Sequence, residues 1–128
     1  MSGAGLHIRA AHYPGRAPVE AYGNGGFRFA GMSHRGALLC LPSGIYGWDA
    51  PVAIDEASLA RVFAEAAAIE LLIVGTGRDL VPLAAPLQAR LAAAAIAAEP
   101  MATGAAVRTF NVLLAENRAV AAALIAVD

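Results

Sequence analysis

The chain contains no lysine, one cysteine, few aromatic residues and no long hydrophobic run, and each shortage excludes something. Cys40 is alone, so it has no partner within the chain; a disulfide scaffold is excluded and a reducing compartment fits. The formal net charge is −1 and the isoelectric point is near 6.3. Neither supplies a global pull toward nucleic acid or an acidic membrane, so no nucleic-acid partner is expected. No stretch approaches the ~18–20 apolar residues of a spanning helix. The longest late run, Ala119 to Val127, is nine residues. Met1 to Gly15 lacks the apolar centre of a signal peptide. The expectation is a cytoplasmic protein with no direct membrane span. His7, His12 and His34 have no metal-ligand spacing, and a zinc site needs three or four convergent ligands; no metal and no cofactor are expected.

What is present is a chain of 128 residues, 59% apolar, with alanine at about a quarter of all positions. The alanine excess and the all-arginine basic set read as the coding bias of a GC-rich genome. They describe a small-residue core rather than a membrane protein. The length suits one domain able to bury roughly two-thirds of its unfolded surface without a staple. Residues 1–17 read as a loosely ordered N-terminal segment, with a short strand at Leu6–Ala10, and residues 18–128 as a single α/β domain.

From Val19 the pattern is β-like. Val19 to Tyr22 and Phe27 to Phe29 flank Asn24-Gly25, the dipeptide favoured where a tight hairpin needs positive φ. Alternation places Phe27 and Phe29 on one face and Arg28 on the other. Ala37 to Leu41 reads as a third strand stopped by Pro42-Ser43-Gly44, and Gly44 to Pro51 as a loop. The second half changes period. Asp55 is expected to cap a helix to about Ala67, with Leu59, Val62, Phe63 and Ala66 at helical spacing. Leu71 to Val74 reads as a strand buried on both faces. A helix at Pro86–Ala94, a weaker strand at Ile96–Glu99, a helix at Gly104–Ala115 and a strand at Ala119–Val127 follow. This order predicts an α/β layered sheet with an N-terminal β-hairpin extension.

Three groups of residues are candidates for a site. Gly75-Thr76-Gly77-Arg78 follows the buried strand, where open α/β sheets place ligands. A dinucleotide fingerprint is incomplete there, because Leu80 stands where the third glycine belongs; a tight turn is the stronger reading. In the second group Thr103 is expected to be an N-cap, beside Gly104, Arg108 and Asn111 on one helix face, a set suited to a carboxylate, a phosphate or a partner's backbone. The competing reading is structural: Arg108 paired with an acid and Asn111 capping a loop. Arg28 and Trp48, with Asp49, form a third group, with Trp48 as a partner anchor or a core cover. Cys40, inside an apolar strand, has no basic neighbour to activate it. There is no Gly-x-Ser-x-Gly elbow, so acyl transfer is unsupported.

Further residues carry a resemblance. Tyr22-Gly23, Gly25 to Phe29, His34-Arg35-Gly36, Pro42-Ser43-Gly44 and Trp48 occur in order, followed by Leu72 to Gly77. The block Met101 to Ala106, Arg108 to Leu113, Glu116-Asn117-Arg118 and Val120 to Ile125 completes the series. Over about Ala17 to Val127 the chain resembles the family of small bacterial and archaeal domains of unknown function that includes mitochondrial NADH:ubiquinone oxidoreductase (complex I) assembly factor 3. The resemblance implies a three-layer α/β sandwich with a mixed central sheet. It also implies a non-catalytic role in building the peripheral part of a respiratory complex, with complex subunits or another assembly factor as protein partners and a position peripheral to the inner membrane. Ala102 departs from the acidic or polar residue expected in many relatives.

Two other readings stand beside this one. A small-molecule or anion-binding domain would place a pocket between Gly75–Arg78 and Thr103-Gly104, with Arg78 or Arg108 directed inward. An enzyme would have to use Cys40 or a histidine.

Overall fold

The computed structural model describes residues 13–49 and 53–128; the strand expected at Leu6–Ala10 lies outside them. The elements are β1 (Tyr13–Pro14), β2 (Val19–Gly23), β3 (Gly26–Phe29), β4 (Met32–Arg35), β5 (Ala37–Leu41), β6 (Gly44–Trp48), α1 (Ala60–Ala64), a 3₁₀ turn (Ala66–Ala68), β7 (Leu71–Gly75), α2 (Ala85–Ala93), β8 (Ala97–Met101), α3 (Thr103–Ala115) and β9 (Val120–Leu124). Six strands form a mixed sheet in the order β1-β6-β5-β9-β7-β8, and β2-β3-β4 form a separate antiparallel sheet.

The hairpin expectation holds in detail. Asn24 and Gly25 sit at φ 53° and 78° between the paired Gly23 and Gly26, so both central residues take the left-handed conformation that matches strand twist. Phe27 and Phe29 are buried and Arg28 is exposed. Ala30-Gly31 repeats the device, at φ 49° and 74°, and adds β4, which the sequence pattern did not indicate. Alanine is unusual at that angle, and Met32–Arg35 is an outer strand without apolar alternation. At Gly36, with φ 100°, the chain steps directly from the small sheet into the large one.

Gly44–Trp48 is a strand and not a loop. It pairs antiparallel with β5 from Leu41↔Gly44 to Ala37↔Trp48, so Pro42-Ser43 is a two-residue hairpin turn. The two glycines of β6 conceal it, because they interrupt apolar alternation without breaking the ladder. The helix expected from Asp55 to Ala67 is also corrected. Asp55 Oδ1 accepts the Ser58 N–H at 2.9 Å and Ser58 Oγ accepts the Asp55 N–H at 3.0 Å, a reciprocal box of the kind that starts helices. The α-helical part then covers only Ala60–Ala64 before tightening to 3₁₀.

β7 pairs parallel with both β8 and β9. The chain therefore moves one way from β7 through α2 to β8, then back across β7 through α3 to β9. Right-handed crossovers in opposite directions require their helices on opposite faces of the sheet, and the core divides accordingly. Leu39, Leu41, Leu72 and Val74 pack with Leu59, Val62, Leu87 and Leu91 on the α1–α2 side. Leu38, Cys40, Ile73 and Leu124 pack with Val107, Phe110, Phe27 and Phe29 beneath α3 and the small sheet. The result is a three-layer α/β sandwich with a mixed central sheet and a β-hairpin extension.

Candidate functional site

Because α2 and α3 take opposite faces, the connections leaving β7 and β8 diverge from adjacent parallel strands. A crevice opens between them at the carboxyl ends, the position at which open α/β sheets bind ligands. One wall is the loop after β7. Thr76 N–H donates to Met101 O at 2.9 Å, extending the β7–β8 ladder by one step. Its hydroxyl donates to Asp79 O at 2.6 Å and accepts the Val81 N–H at 2.9 Å. Thr76 thus folds the loop back on itself. Gly77 follows at φ 104°, where a side chain would be strained.

The other wall begins α3, and here the N-cap expectation is corrected. Ala102 occupies the cap position with no side-chain capping bond. Thr103 is fully buried. Its Oγ1 accepts the Gly77 N–H at 3.0 Å and donates to Ile125 O at 2.7 Å. A hydroxyl turned inward to the neighbouring strand and loop is no longer available to the first helical turn.

Asn111 is likewise committed inside the fold. Val19 N–H donates to its Oδ1 at 2.9 Å, and its Nδ2 donates to Val19 O at 2.8 Å. A register shift between Val19 and Ala21 leaves Val19 opposite Phe29 and Tyr22 opposite Phe27. Both residues consequently face α3, Val19 at Asn111 and Tyr22 at Gly104. A Cβ on Gly104 would lie 2.4 Å from Tyr22 Oη. Seven helical residues rise about 10.5 Å and three strand residues about 10 Å, so β2 lies along α3 in register. The small, polar face of α3 is therefore covered by the chain's own hairpin at Gly104 and Asn111.

An open concavity of about 750 Å³ remains, lined by Tyr22, Gly77, Arg78, Gly104, Ala105, Arg108 and Ala126–Asp128, with Ala102 also on its wall. Arg78 and Arg108 are exposed, and neither makes an ion pair or hydrogen bond among the described residues. A second hollow, of about 420 Å³, shares Tyr22 and includes Arg28, Ser33 and Arg35. Arg28 Nη1 donates to Ser33 Oγ there, at 3.1 Å.

The structure thus brings Gly77, Arg78, Gly104 and Arg108 together, with Thr76 and Thr103 as ties beneath them and Arg28 in the adjoining hollow. It separates Trp48, which is buried in the α1–α2 core with its indole N–H donating to Ser58 O at 2.7 Å. Arg28 and Trp48 lie on opposite sides of the central sheet and form no common surface. Tyr22 is the lining residue that sequence reasoning passed over as a site member. Its signal was an exposed aromatic two residues before an Asn-Gly turn. Cys40 lies apart in β5, and burial pushes its thiol up to about 12, far from the thiolate a nucleophile needs.

The fold and crevice define a compact α/β domain with an arginine-lined opening at the switch point of its parallel strands. The model of the family described as "Protein of unknown function (DUF498/DUF598)" matches residues 19–125, and the chain belongs to that family. An uncharacterised protein of Rhodobacter capsulatus is 41% identical over 117 residues, covering 91% of this chain and 90% of that one. A crystal structure described as an outer membrane protein from Bartonella henselae is 56% identical, with a TM-score of 0.89 over 91% of this chain and all of that one. A solution structure from Bordetella pertussis, described as a Mth938-like domain, is 28% identical with a TM-score of 0.72, covering 86% and 85% of the two chains. Among the described residues of this chain, no helix is long and apolar enough to cross a membrane.

Proposed function

We propose that the protein is a non-catalytic accessory factor that binds other proteins during biogenesis of an inner-membrane respiratory complex of the complex I type, acting from the cytoplasmic side. The observation that carries the binding role is the open crevice with two exposed arginines that pair with no other group among the described residues, a surface shaped for contact without enclosure. The block Met101–Ile125, which bears the strongest part of the resemblance to the assembly-factor family, builds the α3 wall of that crevice together with β9. The link to a respiratory complex rests on that resemblance.

Affinity capture of the tagged full chain from gently solubilised membranes is expected to recover complex I subunits or a second assembly protein. Deleting the gene is expected to lower the amount of assembled complex. Capture at background level together with normal complex content overturns the reading.

A second reading, a domain that binds a small anion, is favoured by Arg78 and Arg108 reaching the crevice from its two walls. Saturable binding of inorganic phosphate or a dicarboxylate, lost on neutralising both arginines, would support it.

A further inference from the structure

β4 forms one edge of the small sheet and has no neighbouring strand on its far side among the described residues. Gly36 N–H donates back across the sheet to Gly25 O at 2.7 Å. By the alternation of an antiparallel ladder, His34 and Met32 also bond toward β3, opposite Phe27 and Phe29. The backbone N–H and C=O groups of Ser33 and Arg35 therefore point outward, and none of them is bonded among the described residues. The other sheet edges are guarded. At β2, Asn111 bonds both backbone groups of Val19. β1 is two residues long and ends in Pro14. In β8, Ala97 and Met101 bond toward β7, which turns the nitrogen of Pro100 outward with no proton to give.

Side chains give the β4 edge a definite chemistry. Arg28 lies opposite Ser33, and Gly26 opposite Arg35, so Arg28, Ser33 and Arg35 share the outer face. They line the hollow of about 420 Å³ there, and Arg28 already reaches β4 through its bond to Ser33 Oγ at 3.1 Å. Neither guanidinium makes an ion pair among the described residues. Glu20, the one acid in the three strands, accepts the Gly31 N–H instead. The inner face at this edge carries Met32, which is 39% exposed, and His34. We infer that the β4 edge takes an extended segment of a partner protein as a fourth strand, with acidic and apolar residues in alternation. Segment residues opposite Ser33 and Arg35 put their side chains on the outer face, where guanidinium forks match carboxylates. The residues opposite His34 and Met32 fall on the inner face, where an apolar side chain extends the Phe29–Met32 row. Backbone bonds supply affinity and the alternate side chains supply specificity. A second copy fits badly, because β4 paired antiparallel with itself gathers four guanidiniums on one face. This edge is separate from the Arg78–Arg108 crevice and independent of the assembly role proposed above.

The test is an NMR titration of the ¹⁵N-labelled full chain with a capped octapeptide of alternating glutamate and valine. Saturable shifts are expected along Met32–Gly36, with amide exchange slowed at Ser33 and Arg35. The double variant Arg28→Glu/Arg35→Glu, with a still-dispersed spectrum, is expected to weaken binding at least about tenfold, a loss of about 1.4 kcal/mol. Arg118→Glu is expected to leave it unchanged. The same peptide N-methylated at its glutamates loses the protons that face β4 and is expected not to bind. Absence of saturable shifts, shifts centred on Arg78 and Arg108 instead, or binding that survives N-methylation overturns the inference. So does tighter binding of oligo-dT of equal charge to the same residues, or self-association through β4 without peptide.

Discussion

Thr103 and Gly77 hold each other twice: the Thr103 N–H donates to Gly77 O at 2.8 Å, and the Gly77 N–H donates to Thr103 Oγ1 at 3.0 Å. This exchange clamps the two loops that diverge from β7 and β8. It sets the width of the crevice that Arg78 and Arg108 flank.

Replacing Thr103 with valine keeps the shape and removes the hydroxyl. A buried donor or acceptor left unsatisfied costs about 1–3 kcal/mol, and two groups are affected here, Gly77 N–H and Ile125 O. Urea unfolding is expected to show Thr103→Val less stable by roughly 2–4 kcal/mol. Thr103→Ser keeps the hydroxyl and should lose only about 1 kcal/mol for the missing methyl. Equal losses in the two variants would show that the hydroxyl is not what holds the loops.

Asn111 fastens β2 to α3 through both backbone groups of Val19. Asn111→Ala is expected to lower stability by roughly 1–3 kcal/mol. It should also speed amide exchange at Val19 and in the hairpin while leaving β7 and β9 protected. Uniform loss of protection, or none, would contradict a local fastening.

Two glycines should respond differently to alanine. At Gly26 a Cβ would meet the backbone oxygen of His34 at 2.2 Å, so strands β3 and β4 must shift. Gly26→Ala is expected to cost roughly 1–3 kcal/mol or more. At Gly104 the obstacle is the Tyr22 hydroxyl, the far end of an exposed side chain, and helical alanine gains up to about 1 kcal/mol over glycine. Gly104→Ala should therefore leave thermal stability nearly unchanged while altering the Tyr22 ring resonances. A large loss of stability there would mean that Tyr22 is held more firmly than its exposure indicates.

Cys40 gives the pH dependence. Burial raises its thiol from 9.0 to about 12, so the unfolded chain releases this proton at lower pH than the folded one. The stability linked to it is fully present below pH 9 and is lost as pH rises from there toward 12. Unfolding experiments on wild type and Cys40→Ala should diverge in that window and run parallel below it. In the folded protein at pH 8, a thiol reagent is expected to react only as fast as the chain opens.

Much of the fold is legible in the residues. Asn24-Gly25 marks the hairpin, Phe27 and Phe29 mark its buried face, and the continuous apolar runs Ala37–Leu41 and Leu71–Val74 mark central strands. These are local signals, carried by backbone angles and side-chain alternation within a few positions. β6 escaped because Gly44 and Gly47 interrupt its pattern, and β4 because its turn uses Ala30 at a left-handed angle. Pairing with a neighbour supplies what those segments lack locally. The site depended still more on distance. The residue types at Thr103 and Asn111 suit a helix cap and a binding face equally well. Only the arrival of Gly77, Ile125 and Val19 against them, from 26, 22 and 92 positions away, commits their polar atoms to the interior. Arg78 and Arg108 are 30 positions apart in the sequence, and the reversal of the crossover direction at β7 sets them on facing walls. Sequence alone thus determined the α/β class and the absence of a reactive motif. Tertiary structure decided which polar groups are consumed by the fold and which stay exposed at the crevice, because hydrogen-bond partners are set by proximity in space.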